Sequence, residues 1–256
     1  MTLLRVNHFK RALAEGRQQL GLWNSLPGPL VAEALAGCGF DWIVIDTEHA
    51  VTDVPDTLAM MQAMAPYPVS AVVRPACNDT VLIKRLLDLG AQTLLIPYVQ
   101  SADEARAAVA AMRYAPRGIR GVAGLTRASR FGAVEGYVQR AEEELCLLVQ
   151  VETAQALTQI EAIAAVDGVH GLFIGPADLA ASMGYPGNSN HPAVVAAIEN
   201  AIRRIVAAGQ PAGILTLDPA FAWRCIEWGS RFTALGMDVG LLITGAKRLS
   251  GDFRGA

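Results

Sequence analysis

Lysine is almost missing from this chain: of 21 basic residues only Lys10, Lys84 and Lys247 are lysines, and the other 18 are arginines. None of the three ends a strand-like run, so a Schiff-base lysine at a barrel mouth has no candidate. Cysteine is sparse as well. Cys38, Cys77, Cys146 and Cys225 show no CxxC spacing and three lie in apolar stretches. That pattern excludes a disulfide framework or a thiolate zinc site and predicts reduced, buried thiols in a cytosolic protein. No apolar run approaches the roughly 18–20 residues a membrane-spanning helix needs. The opening MTLLRVNHFKRALAEG has no continuous apolar core or small-residue cleavage site and reads as an amphipathic helix rather than a signal peptide. A basic surface is absent too, since the net charge is −3, which argues against nucleic-acid binding. There is no GxxxxGK[ST] phosphate loop and no HxH or HxxxH metal motif.

What the chain has is repetition. Eight short apolar runs are predicted strands: 19–24, 42–47, 69–74, 93–99, 145–152, 171–175, 212–217 and 232–236. Unbroken apolar runs of this length suit parallel strands covered on both faces. Helix-periodic segments lie between them at 53–65, 79–89, 101–113, 153–165, 191–208 and 219–228. Asp53, Asp79, Ser101 and Asp218 are candidate N-caps, and Gly90, Gly209 and Gly229 are candidate helix stops. Eight β-α units in 256 residues predict one closed (β/α)8 barrel, a TIM barrel forming a single domain, over an open doubly wound sheet. The long Gly/Arg-rich segment 114–136 is too long for an idle connection. Arg113, Arg117, Arg120, Arg127 and Arg130 in and beside it are expected to fix the loop by ion pairs or to meet another subunit.

In such barrels the active site lies at the C-terminal strand ends. Collecting those ends gives Asn24, Ser25, Asp46, Glu48, His49, Arg74, Pro97, Gln150, Glu152, Gly175, Asp178, Thr216 and Asp238, a carboxylate-rich mouth with one arginine and one histidine. Glu152 and Asp178 end the two sharpest runs, LCLLVQVE and GLFIGPAD. A buried strand-end carboxylate is costly unless a cation meets it. Two such hard oxygen ligands suit Mg²⁺ or Mn²⁺, with waters or substrate oxygens completing the shell, although either residue alone could be a helix cap. His49, in DTEH, is the one histidine at a strand end and a candidate acid/base. Arg74 ends VSAVVR and demands an anion, either a protein carboxylate or a substrate oxyanion. In GPAD, Pro176 opens a helical turn, so the amides of Ala177 and Asp178 are placed to receive a substrate carboxylate.

DTEHA with RP at 74–75, LLDLGAQTLLIPYV, RYAPRGIRGV, RASRFG, LVQVET and GVHGLFIGPADLAASMGYPGN together resemble the HpcH/HpaI aldolase family, from about Gly21 to Leu249. The resemblance implies a class II, divalent-metal pyruvate aldolase akin to the 4-hydroxy-2-oxoheptanedioate and 2-keto-3-deoxy-sugar-acid aldolases. It would reversibly cleave a 4-hydroxy-2-oxo acid to pyruvate and an aldehyde. It implies Glu152 and Asp178 as metal ligands, for Mg²⁺ or Mn²⁺ first and Co²⁺ or Zn²⁺ as substitutes. It implies His49 as base, Arg74 as the group holding the pyruvate oxyanion, and Gln150 with the amides of Ala177 and Asp178 as pyruvate-binding groups. Asp88 in LLDLGA matches an acid credited with raising the histidine's basicity. Its predicted position, at the end of a helix on the far face, requires another subunit to bring it to His49. The resemblance further implies a homo-oligomer, commonly a hexamer built as a trimer of dimers, with the last helix on a neighbouring subunit. GVAGLTR at 121–127 is about one residue shorter than the family's usual loop, which helps shape the aldehyde end. Two other readings stay open: a related metal-dependent acyl-CoA lyase, and a non-catalytic barrel that binds a 2-oxo acid.

Overall fold

The computed structural model describes residues 4–254. Eight strands close a parallel barrel in sequence order: β1 Gln19–Asn24, β2 Trp42–Asp46, β3 Ser70–Arg74, β4 Thr93–Ile96, β5 Cys146–Val151, β6 Gly171–Ile174, β7 Ala212–Leu215 and β8 Ser230–Met237, with β8 pairing back to β1. Every predicted strand is present, most of them trimmed by a few residues at the ends.

Side chains alternate along each strand, and the two sets enter different cores. Ile43, Ile45, Val73, Leu94, Leu147, Val149, Leu172 and Ile174 face outward into the layer beneath the helices. Trp23, Trp42, Val44, Val72, Leu95, Leu148, Phe173 and Phe232 fill the barrel. Room for the interior aromatics comes from glycine: a Cβ on Gly21 would strike the Trp42 ring, and one on Gly213 the Phe232 ring. The first helix, α1 (His8–Ala14), plugs the N-terminal end. Its Phe9 ring sits 5.7 Å from Trp42 and 5.9 Å from Phe232, and is fully buried.

The outer helices begin and end where their sequences dictate. They are α2 (Pro29–Ala36), α3 (Val54–Met64), α4 (Thr80–Asp88), α5 (Ala102–Met112), α6 (Tyr137–Arg140), α7 (Ala154–Leu157), α8 (Ile160–Ala164), α9 (Pro176–Ser182), α10 (Pro192–Ala207), α11 (Pro219–Trp228) and α12 (Asp238–Arg254). Asp53, Asp79, Ser101 and Asp218 each accept from a backbone amide of the first turn, as expected. Gly229 takes φ +115° where α11 must stop. The single helix expected at 153–165 is broken into α7 and α8, which Thr158 and Gln159 separate.

Two further expectations need correction. Cys146 and Cys225 are buried thiols, but Cys38 and Cys77 are exposed, since they lie in the turns that leave α2 and β3. Segment 114–136 joins α5 to α6 ahead of β5, so in its own chain it lies at the N-terminal end of the barrel. It cannot shape the aldehyde end of its own mouth. Four of the five arginines in and beside it are tied down locally: Arg113 and Arg117 reach Glu142 and Asp167, Arg120 pairs with Asp88 at 2.7 Å, and Arg127 donates to the Leu89 carbonyl at 2.6 Å.

Candidate active site

Strand parity decides which polar side chains enter the mouth. Asp46 continues the inward series Trp42, Val44; Arg74 continues Val72; Gln150 and Glu152 continue Cys146, Leu148. All four therefore point into the barrel one layer above its apolar filling, and all four are buried. Asp46 and Arg74 are also register partners across β2 and β3.

Arg74 is the hub. Its Nε donates to Asp46 Oδ1 at 2.8 Å and its Nη2 to Asp46 Oδ2 at 2.7 Å, a two-pronged clamp. Nη1 lies 2.6 Å from Glu48 Oε2, off the N–H direction and so an ion pair alone, and donates to Gln150 Oε1 at 3.4 Å. The guanidinium stacks 4.8 Å above the Trp23 ring, whose Nε1 donates to Asp46 at 3.3 Å. Asp46 supplies the protein carboxylate anticipated as one partner for Arg74. Burial alone would push the Asp46 carboxyl up, but the hydrogen bonds and charge of Arg74 outweigh it and hold it below the usual carboxylate range.

Glu152 is the opposite case. Burial pushes its carboxyl up to about 7; the Tyr98 amide opposes this, while the charges of Asp178 and Glu48 add to it. Its two oxygens are held by neutral donors, Oε1 by the Tyr98 N–H at 2.8 Å and Oε2 by Gln150 Nε2 at 2.7 Å. Gly175 lies directly against it, and a Cβ there would collide with the Glu152 carboxylate. Glu48 is raised as well, by burial first and then by Asp46 and Asp178 against the pull of Arg74 and His49. Glu48, Glu152 and Asp178 thus act on one another here with a single arginine among them, whose clamp goes to Asp46 and whose further ion pair goes to Glu48.

Asp178 sits in the first turn of α9 and is exposed, so the expectation of two equally buried strand-end acids holds for Glu152 alone. The first-turn amides of Ala177 and Asp178 have no acceptor within the helix, by its geometry. His49 follows β2 in an exposed loop, with Nε2 3.9 Å from Glu48 Oε1 and its amide reaching Asp46 Oδ1 at 3.5 Å. Asp238 closes the seam between β1 and β8, accepting from Asn24, Ser25 and Leu26. Asp88 ends α4 and pairs with Arg120; its own chain does not bring it to His49. Lys10, Lys84 and Lys247 lie on α1, α4 and α12, away from the mouth.

Among the described residues no three His, Cys, Asp or Glu side chains form a metal cluster. Two carboxylates are nonetheless what Mg²⁺ or Mn²⁺ takes from a protein when water and substrate supply the remaining oxygens. Surplus buried negative charge at Glu152 fits such an ion. Sequence reasoning left Asp46 and Glu48 without roles, although both stand in DTEH beside His49. A cavity of about 700 Å³ also opens at the other end of the barrel, lined by strand-start residues such as Gln19, Ser70 and Thr93, and contains none of these groups.

A closed parallel barrel with an arginine–carboxylate hub and an acidic pair at its C-terminal mouth defines a (β/α)8 enzyme-type scaffold. The chain belongs to the HpcH/HpaI aldolase/citrate lyase family, whose model matches residues 19–245. It is 60% identical over 250 residues to the pyruvate aldolase of Rhizobium etli, covering 98% of both chains. It is 55% identical over 248 residues to a 4-hydroxy-2-oxo-heptane-1,7-dioate aldolase of Salmonella heidelberg, covering 96% of this chain and 94% of the other. A solved HpcH/HpaI family structure from Burkholderia cenocepacia superposes with a TM-score of 0.94 at 39% identity, covering 97% of this chain and 100% of that one.

Proposed function

We propose that the chain is a divalent-metal-dependent pyruvate aldolase, reversibly cleaving a 4-hydroxy-2-oxo acid to pyruvate and an aldehyde. The observation that carries this reading is Glu152: a buried carboxylate with a raised pKa, facing two other acids, in a mouth whose arginine is clamped to Asp46 and ion-paired with Glu48. The aldolase names of relatives at 55–60% identity support the same chemistry.

Glu152 and Asp178 would hold Mg²⁺ or Mn²⁺. A bound ion supplies Lewis-acid stabilisation of the charge that develops on the 2-oxo oxygen. Arg74, fixed by Asp46 on one side, keeps further N–H donors for that same oxygen. The amides of Ala177 and Asp178 receive the substrate carboxylate, and Gln150 locks the spacing between Arg74 and Glu152. His49, exposed and so able to exchange protons with solvent, takes the C4 hydroxyl proton. The C3–C4 electron pair then passes into the enolate, the aldehyde leaves, and protonation at C3 yields pyruvate.

Asp88 and segment 121–127 contribute to this mouth only from a second chain. Homo-oligomer formation is part of the proposal for that reason, and α12 supports it by exposing Leu241, Leu242, Ile243, Leu249 and Phe253. No described helix is long and apolar enough to cross a membrane. The test is pyruvate release, coupled to lactate dehydrogenase, over a panel of 4-hydroxy-2-oxo acids. Activity should vanish with EDTA and return with Mn²⁺ or Mg²⁺. Chelator-resistant turnover, or trapping of pyruvate on the protein by borohydride, would sink the reading.

A further inference from the structure

Tyr98, the second residue beyond β4, has φ +55°. Only three non-glycine residues among those described have a left-handed backbone, and the other two, Arg130 and Phe131, belong to segment 114–136 at the opposite end of the barrel. A bulky aromatic residue there is strained, and glycine would adopt the conformation freely. The chain places glycine at many of its other left-handed positions, including Gly90, Gly209 and Gly229. At Tyr98 the surroundings must impose the conformation.

The bonds made by this turn identify what it is for. The Tyr98 amide donates to Glu152 Oε1 at 2.8 Å, a side chain 54 residues further on, and the next amide, that of Val99, returns to the main chain at the Gln150 carbonyl, 3.0 Å away. Tyr98 itself is 54% exposed, so core packing is not what holds it in this conformation. Backbone strain kept beside a candidate site by a specific hydrogen bond is a mark of preorganisation. The donor is also neutral. It fixes the direction of the carboxylate without cancelling its charge, leaving the charge to a cation.

We propose that Tyr98 is a positioning residue whose left-handed backbone, rather than its phenol, fixes Glu152 in the orientation that receives the divalent ion. The proposal rests on the metal reading given above. It predicts that metal affinity follows the ability of residue 98 to adopt positive φ. Glycine and asparagine do so readily, and a β-branched residue does so worst.

The test is Mn²⁺ titration calorimetry on the intact, assembled protein, comparing wild type with Y98G, Y98N, Y98V and E152Q. Y98G and Y98N should bind Mn²⁺ as wild type does despite losing the phenol. Y98V should bind about 10–100-fold more weakly, the usual loss when a partner that orients a metal ligand is removed. Wild-type affinity in Y98V, or a loss shared by Y98G and Y98N, would overturn the proposal while leaving the metal reading intact. Mn²⁺ binding that survives unchanged in E152Q would overturn the metal reading and the proposal with it. Amide hydrogen exchange of metal-free wild type gives a second measurement that needs no variant to fold: the Tyr98 amide should be protected, and rapid exchange would contradict the assignment.

Discussion

Two buried carboxylates in one mouth carry opposite shifts, and the cause is what each one touches. Asp46 has a guanidinium clamped to both oxygens and stays ionised; Glu152 has two neutral donors and two acidic neighbours and resists ionisation. The sign of the pH effect follows. Glu152 has a folded-state pKa above its unfolded value, so the folded, metal-free protein binds more protons than the unfolded chain in that window. Its stabilising contribution is complete below the unfolded value of about 4.5 and is lost as pH rises through about 7. Melting of the metal-free protein should therefore shift downward across that range, and Glu152→Gln should flatten the slope. Mn²⁺ affinity should rise with pH over the same interval, because the ion competes with the proton. For the arginine, Asp46→Ala leaves a buried guanidinium without its clamp, at a cost of about 3–5 kcal/mol in urea denaturation. Arg74→Lys removes the fork geometry and should lower kcat for pyruvate release about 10²–10³-fold, the size of effect seen when an oxyanion donor is lost.

At the scale of elements, the strands and most helices follow from local sequence. Apolar runs of four to eight residues, capping aspartates and stop glycines are short-range signals, and β1 and α11 match their predicted bounds. The site was legible only in part. Strand-end position pointed to Glu152, Arg74, Gln150 and His49, but not to the Asp46–Arg74 clamp, because register between β2 and β3 is set by barrel closure rather than by either strand alone. Asp178 was expected to be buried; the first turn of α9 carries it into solvent instead. Tyr98 gave no signal, since its residue type argues against the conformation it adopts. The last helix offers an element-level test. The chain deleted from Leu241 onward should keep a folded barrel by circular dichroism yet sediment as a smaller species than the full chain, because α12 meets its own barrel mainly along β1 and β8 and exposes its apolar residues.

For the molecule as a whole, the two cores divide the labour. The apolar filling of the barrel and the plug of α1 make a rigid base, and the polar layer above it inherits that rigidity. Preorganisation of this kind costs nothing further when substrate binds, which favours catalysis at a mouth built from strand ends. What the sequence by itself determined was the list of elements, their order and the residue types at each strand end, since periodicity, capping and burial act over a few residues. Only the tertiary structure decided which of those strand ends meet. Closure of the barrel sets the strand register, the register pairs Asp46 with Arg74, and it lays Glu152 against Gly175 and the turned amide of Tyr98.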